Sequence, residues 1–232
     1  MTSKASKHVA SDLNDEQMVD YLVDSIQNFK KQGTLVIALI SGAGAGSSTL
    51  AQELINKLPK SDAIGTDDYL IGDRKYRREN IEGQDPLLKY DIEFMRQEVK
   101  KICSLRNGDE ILVPRYDEPT GLALAQEPYS HKIKSLKYLI IEGDFQFLDQ
   151  VDYLIYLDVP DEVRLRNRLE REIKKRNEKS KQAVKDNFEI RQKLQHVPYC
   201  EPLKDKADIL VQVQADPKSG GGFIYSYSIY LK

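Results

Sequence analysis

The stretch LVIALISGAGAGSSTLAQEL, residues 35 to 54, sets glycines at 42, 44 and 46 between an apolar run and a helix start. Closely spaced glycines let backbone N–H groups converge on one point, and the helix N-terminus adds its dipole. A turn of this kind suits a phosphate. The phosphate-loop pattern G-x-x-x-x-G-K-[ST] fits in one register, with Ser41 at the first glycine, Gly46 at the second, Ser47 at the lysine and Ser48 at the hydroxyl. Gly42, Ala43, Gly44, Ala45, Gly46, Ser47, Ser48 and Thr49 are therefore candidate nucleotide-binding residues, and the Ser48 hydroxyl is a candidate ligand for Mg²⁺. The charge that the lysine brings to the β- and γ-phosphates is missing. Taken alone, the same residues also suit a plain βα turn rich in small side chains.

The elements that position this loop follow from local patterns. Asn14 with Gln17 three residues on is a capping signal, and Met18, Tyr21, Leu22, Ile26 and Phe29 then share a helix face. Thr34 to Ile40 reads as a parallel strand covered on both sides. SDAIGT (61–66) is a short strand candidate ending at Asp67 and Asp68, and GDRKYRRENIEGQDP is expected as a surface loop. Residues 90 to 105 read as a helix, KYLIIEG (137–143), DYLIYLDV (152–159) and ADILVQV (207–213) as strands. Pro160 and Asp161 start a charged helix expected to run past 185. The Gly220–Gly222 turn and alternating FIYSYSIYL predict an added hairpin. Strands alternating with helices imply an α/β fold with a mostly parallel sheet, whose ligands sit beyond the carboxyl ends of the strands. The first 13 residues are expected as a disordered tail, and 14–232 as a single domain.

Composition narrows the function classes. A formal net charge of -2 over 232 residues argues against a nucleic-acid surface or a basic membrane patch. Two cysteines, Cys103 and Cys200, give neither metal spacing nor a disulfide framework, which fits a reducing, cytoplasmic setting. The polar start MTSKASKHVASDLNDEQ lacks the apolar core of a signal peptide, and no apolar run reaches membrane-spanning length.

Six segments in order resemble the uridine kinase and phosphoribulokinase family of phosphate-loop small-molecule kinases: SGAGAGSST, TDDYL (66–70), VPRYDEPTG (113–121), LIIEG (139–143), EVRLRNRLEREIKKRN (162–177) and CEPLKDKADILV (200–211). The resemblance implies a P-loop NTPase-like three-layer α/β sandwich with a helical lid at about 161–195. It implies ATP and Mg²⁺ as cofactors, and transfer of the γ-phosphate to a hydroxyl of a small molecule, with a nucleoside-like acceptor leading and pantothenate-like or sugar-like alcohols open. By the same resemblance Asp67 is the general base and a substrate contact, and Glu142 is a metal-side acid. Arg168, Arg171 and Arg176 are lid arginines, with Arg168 near substrate and the other two catalytic. Tyr69, Asp85 and Tyr116 are substrate contacts.

The departures are specific. Ser47 replaces lysine, Gly121 stands where pyrimidine kinases carry a histidine, and Asn177 and Glu178 replace Gly-Arg in the lid. Losing one preorganised cation costs about 3 kcal/mol of transition-state stabilisation, about a hundredfold in rate. Arg171, Arg176, Lys132 and Lys89 are candidate replacements. His131 is a candidate for the missing histidine, with a surface role as the other reading, and His196 reads as structural. An impaired nucleotide-binding regulator with the same fold is the alternative function. Pairing through the FIYSYSIYL edge, giving a homo-oligomer, is compatible with either.

Overall fold

The computed structural model describes residues 7–81, 84–124, 130–143, 148–175, 180–219 and 222–231. In chain order the elements are β1 (Lys7–Leu13), α1 (Asp15–Asn28), β2 (Leu35–Ser41), α2 (Ser47–Lys57), β3 (Ser61–Gly65), α3 (Arg74–Asn80) and α4 (Ile92–Ser104). They continue with β4 (Glu110–Tyr116), β5 (Ala123–Leu124), β6 (Ser130–Lys134), β7 (Tyr138–Gly143), β8 (Tyr153–Asp158), α5 (Asp161–Lys175) and α6 (Lys181–Arg191). A wide π-type helix (Gln192–Cys200), α7 (Glu201–Lys204), β9 (Ile209–Pro217) and β10 (Phe223–Leu231) complete the described chain.

The main sheet runs β1-β10-β9-β8-β2-β7-β3. β3, β7, β2, β8 and β9 are parallel, and β10 and β1 are added antiparallel. Every residue of β2 is buried, as a central strand covered on both faces requires. Leu35, Ile37 and Leu39 point to one side and pack with Leu22, Ile26 and Leu54 from α1 and α2. Val36 points to the other, where Met95, Val99 and Ile102 of α4 lie, and Ala38 and Ile40 meet Cys200 and Leu203. The expected three-layer α/β architecture is thus present. β2 has β7 on one side and β8 on the other, so its carboxyl end opens at a switch point of the sheet.

Four expectations are corrected. Residues 7–13 are a strand rather than a tail. β1 is almost wholly exposed, so main-chain pairing to β10 holds it and no apolar pattern announces it. For the same reason FIYSYSIYL does form the predicted hairpin with β9 but is not an open edge, because β1 covers it. The GDRKYRRENIEGQDP loop contains α3, a helix with no buried residue that starts where the Asp73 carboxylate accepts from Tyr76 N at 2.7 Å. The charged helix is described as far as Lys175, and α6 starts afresh under a Ser180 cap, whose Oγ accepts from Ala183 N at 3.1 Å. The small sheet β5-β4-β6 has no counterpart in the sequence reading.

Candidate functional site

The glycine loop is held in a form that needs glycine. Gly44 and Gly46 have φ of +90° and +94°, and Ala45 N donates to Gly42 O at 3.0 Å. The start of α2 follows, so its free N–H groups face the loop. Glu142, at the end of β7, accepts from Ser47 Oγ at 2.7 Å and from Ser48 Oγ at 3.0 Å. Two hydroxyls and a carboxylate form a hard oxygen set beside the loop. That chemistry fits Mg²⁺, which favours one or two carboxylates together with phosphate oxygens and waters. Ser47, where the motif has lysine, directs its hydroxyl to the same acid.

β3 pairs with β7 so that Gly65 lies opposite Glu142. A side chain at Gly65 would start 3.1 Å from Glu142 Oε1. Asp67 follows two residues beyond Gly65, and it is exposed. Asp68 is buried and accepts from Gly65 N at 2.7 Å and Tyr116 N at 2.8 Å. Burial raises its pKa, against the pull of those two N–H donors. Asp68 thus ties β3 to β4, and Asp67 is the carboxylate left to solvent.

Tyr116 is half-buried, and its hydroxyl accepts from Arg74 Nη2 at 3.1 Å. Arg74 also donates through Nη1 to Pro119 O at 3.2 Å. Its Cγ lies 2.6 Å from where a Cβ at Gly121 would stand, at a φ of +75°. The Arg74 side chain thus packs over Gly121, and a side chain at that position, where a histidine was sought, would have to displace it. His131 does not take over that role, because its Nε2 meets both Asp62 carboxylate oxygens at 2.9 Å.

Two expected substrate contacts have structural duties in the fold. Tyr69 is 3% exposed and belongs to the core cluster with Ile64, Met95 and Val99, edge-on to Phe94. Its hydroxyl has no hydrogen-bond partner among the described residues. Tyr69→Phe is therefore expected to leave stability unchanged or raise it by about 1 kcal/mol, read from thermal melts. Asp85 caps a short turn through Leu87 N at 2.9 Å and accepts from Tyr199 O–H at 2.9 Å. Both bonds fall on Oδ1, so one carboxylate oxygen joins that turn to the π-type helix while the residue stays exposed.

α5, the expected lid helix, lies on the loop. Asn167 Nδ2 donates to Gly44 O at 3.0 Å, and the Arg168 side chain packs against Gly44. Arg168 Nη2 also donates to Asn187 Oδ1 at 3.0 Å, joining α5 to α6. A cavity of only ≈ 10 Å³ separates Ala43, Arg168, Phe188 and His196. Arg171 is partly exposed, 3.6 Å from Glu172. Arg176 lies outside the described residues. Of the proposed replacement cations, Lys132 pairs with Glu110 at 2.8 Å and Lys89 donates to Gln195 at 2.9 Å.

Residues not singled out from the sequence complete the site. Arg164 is buried beside Gly42, and His196 lies next to it. A helix with this much charge reads as solvated, so nothing in the sequence marked Arg164 as enclosed. Burial, and then the Arg164 charge, pull the His196 pKa down to about 4. Native His196 is neutral where the unfolded chain, with a pKa of about 6.5, takes up a proton. Its contribution to stability is thus complete above about pH 6.5 and is lost as pH falls towards 4, by about 2 kcal/mol after allowing for partial solvation. Melts at pH 7.5 and 5.0 should show this loss, and His196→Gln should flatten it.

On the other flank of the loop is a cleft of ≈ 290 Å³. Ala45, Gly46 and Thr49 of the loop and α2 line it together with Val163 and Asn167 of α5, Asp15 and Tyr227. Among the described residues no helix is long and apolar enough to cross a membrane.

Comparison with known proteins agrees with this geometry. The model of the phosphoribulokinase / uridine kinase family matches residues 36–218. A chloroplastic phosphoribulokinase of Mesembryanthemum crystallinum is 31% identical over 205 residues, covering 78% of this chain and 49% of that protein. A uridine kinase of Staphylococcus haemolyticus is 28% identical over 187 residues, covering 77% and 87%. The chain spans about half the length of the phosphoribulokinases it matches. Among solved structures, a possible uridine kinase from Bacillus stearothermophilus superposes with a TM-score of 0.54 at 19% identity, covering 84% of this chain and 97% of that one. D-glycerate 3-kinase from Cryptococcus neoformans gives 0.59 at 12% identity, covering 84% and 94%. With its glycine loop and strand-end acids on a mostly parallel sheet, and the family's model matching residues 36–218, the chain belongs to the phosphoribulokinase / uridine kinase family.

Proposed function

We propose that this protein transfers the γ-phosphate of ATP to a hydroxyl of a small molecule, with a nucleoside-like alcohol as the leading acceptor class. The observation that carries the reading is the grouping at one end of the sheet. There the glycine loop, the Ser47–Ser48–Glu142 oxygen set and exposed Asp67 lie at the ends of β2, β7 and β3. In this reading the loop and the α2 N-terminus hold the polyphosphate, and the adjacent cleft takes the nucleoside. Its apolar walls suit a base, and Asp15 and Glu53 repel phosphates from it. Asp67 takes the proton from the acceptor hydroxyl, and Arg171 and Arg176 of the lid are the residues proposed to meet the charge of the moving phosphoryl group. Bound Mg²⁺, held through Ser48 and Glu142, would supply charge neutralisation.

The test is ADP release from MgATP across a panel of nucleosides, pantothenate and sugars, with Ser47→Lys beside the native chain. Turnover by the native chain on one acceptor supports the reading. The second reading, a nucleotide-binding protein impaired in transfer, is favoured by Ser47 spending its hydroxyl on Glu142 where a cation is needed. Turnover by Ser47→Lys alone would support it over the first.

A further inference from the structure

The loop lacks its lysine, yet a cation is built into its wall. Arg164 is 1% exposed, the largest of the fully buried side chains. Its Nε donates to Val159 O at 3.2 Å, and its Nη2 to Asp161 Oδ1 at 2.5 Å and Gln192 Oε1 at 2.9 Å. Its Nη1 has no partner among the described residues. That enclosed nitrogen lies against the loop, because a Cβ at Gly42 would stand 2.1 Å from Nη1 and 2.6 Å from Cζ. Gly42 is the second residue of the loop, and only a hydrogen fits between it and the guanidinium.

The charge on Arg164 is weakly balanced. Asp161 is its carboxylate partner, and that side chain is 66% exposed, so water screens it. The Phe188 ring, 5.3 Å from Cζ, adds a cation–π contact. His196, the titratable neighbour on the other side, stays neutral at physiological pH and brings no negative charge. A buried guanidinium with an unfilled N–H is costly unless an anion completes it. The helix start beside it favours an anion for an independent reason.

We propose that Arg164 is the positioning cation of this phosphate cradle, holding a nucleoside polyphosphate through its free Nη1 in the role that Ser47 cannot fill. The inference rests on the reading of the loop as a polyphosphate site. It explains how a chain without the loop lysine keeps a charged cradle, and it replaces Arg171, Arg176, Lys132 and Lys89 as the source of that charge.

The test is calorimetric titration of the full chain with tripolyphosphate and with MgATP. A charge-assisted hydrogen bond is worth about 10- to 100-fold in affinity, so Arg164→Gln should weaken both ligands by that factor. Ser47→Lys added to Arg164→Gln should restore most of the loss, which a purely structural role for Arg164 would not allow. In the otherwise native chain, Ser47→Lys should tighten tripolyphosphate by less than about tenfold, because the cradle already holds a cation. Unchanged binding by Arg164→Gln, no rescue in a folded double variant, or a hundredfold gain from Ser47→Lys alone would overturn the proposal. If Arg164→Gln does not fold, the Ser47→Lys arm decides, since it leaves Arg164 in place. Binding of neither anion by the native chain would instead remove the polyphosphate reading itself.

Discussion

Asp67→Asn is expected to lower acceptor-dependent ADP release by about 10²- to 10⁴-fold while leaving MgATP affinity within about twofold. The reasoning is a contrast between neighbours. Asp68 has both carboxylate oxygens engaged, one by Gly65 N and one by Tyr116 N, and it is enclosed. It cannot accept a proton from an acceptor without abandoning the link between β3 and β4. Asp67 is exposed, at the strand end opposite Glu142, and its carboxylate is free of such duty among the described contacts. Asp68→Asn should therefore act chiefly on stability and Asp67→Asn on turnover. Measuring kcat and melting temperature for both variants separates the two roles. A fall in kcat confined to Asp68→Asn would reverse the assignment.

The second large effect is on the loop itself. Gly44→Ala would set a methyl group 2.4 Å from the backbone oxygen of Arg164, at a φ of +90°. The neighbour is backbone and cannot rotate away. Overpacking and left-handed strain together should cost about 3 kcal/mol and lift α5 from the loop. Gly46→Ala carries the same strain at +94° but meets nothing within 4 Å, so it should cost only about 1 kcal/mol. Thermal melts should show drops of roughly 6–12 °C and 2–4 °C respectively. Equal drops would mean that the loop–lid contact contributes little.

What the sequence revealed depended on how each element is stabilised. β2, β7 and β8 are buried on both faces, so they stand out as apolar runs. The α1 start was legible because Asn14 and Gln17 cap each other, at 2.9 and 3.0 Å. β1 and α3 gave no such signal, since neither offers a continuous apolar face to a core. At the site, the glycines, Ser48, Asp67 and Glu142 stood out because strand ends and turns announce themselves locally. Tyr69 turns into the core, and a motif position says nothing about which way a side chain points. Arg164 was hidden for the opposite reason. Its enclosure comes from Gly42, Gln192 and Phe188, which are distant in sequence, and no local pattern encodes that meeting.

The pairing of β1 with β10 also fixes how the molecule yields to load. Lys7 stands opposite Leu231, so a pull applied across residues 7 and 231 opens the ladder one pair at a time. Unzipping of this kind needs little force, and it strips β1 before it reaches the register between β10 and β9. β2 lies inside, between β7 and β8, and carries the glycine loop at its far end. The outer strands thus act as a mechanical fuse. In an optical-tweezers trace, an early low-force extension from β1 should precede the rupture that disrupts the glycine loop, and under the proposed function saturating MgATP should raise only the second event.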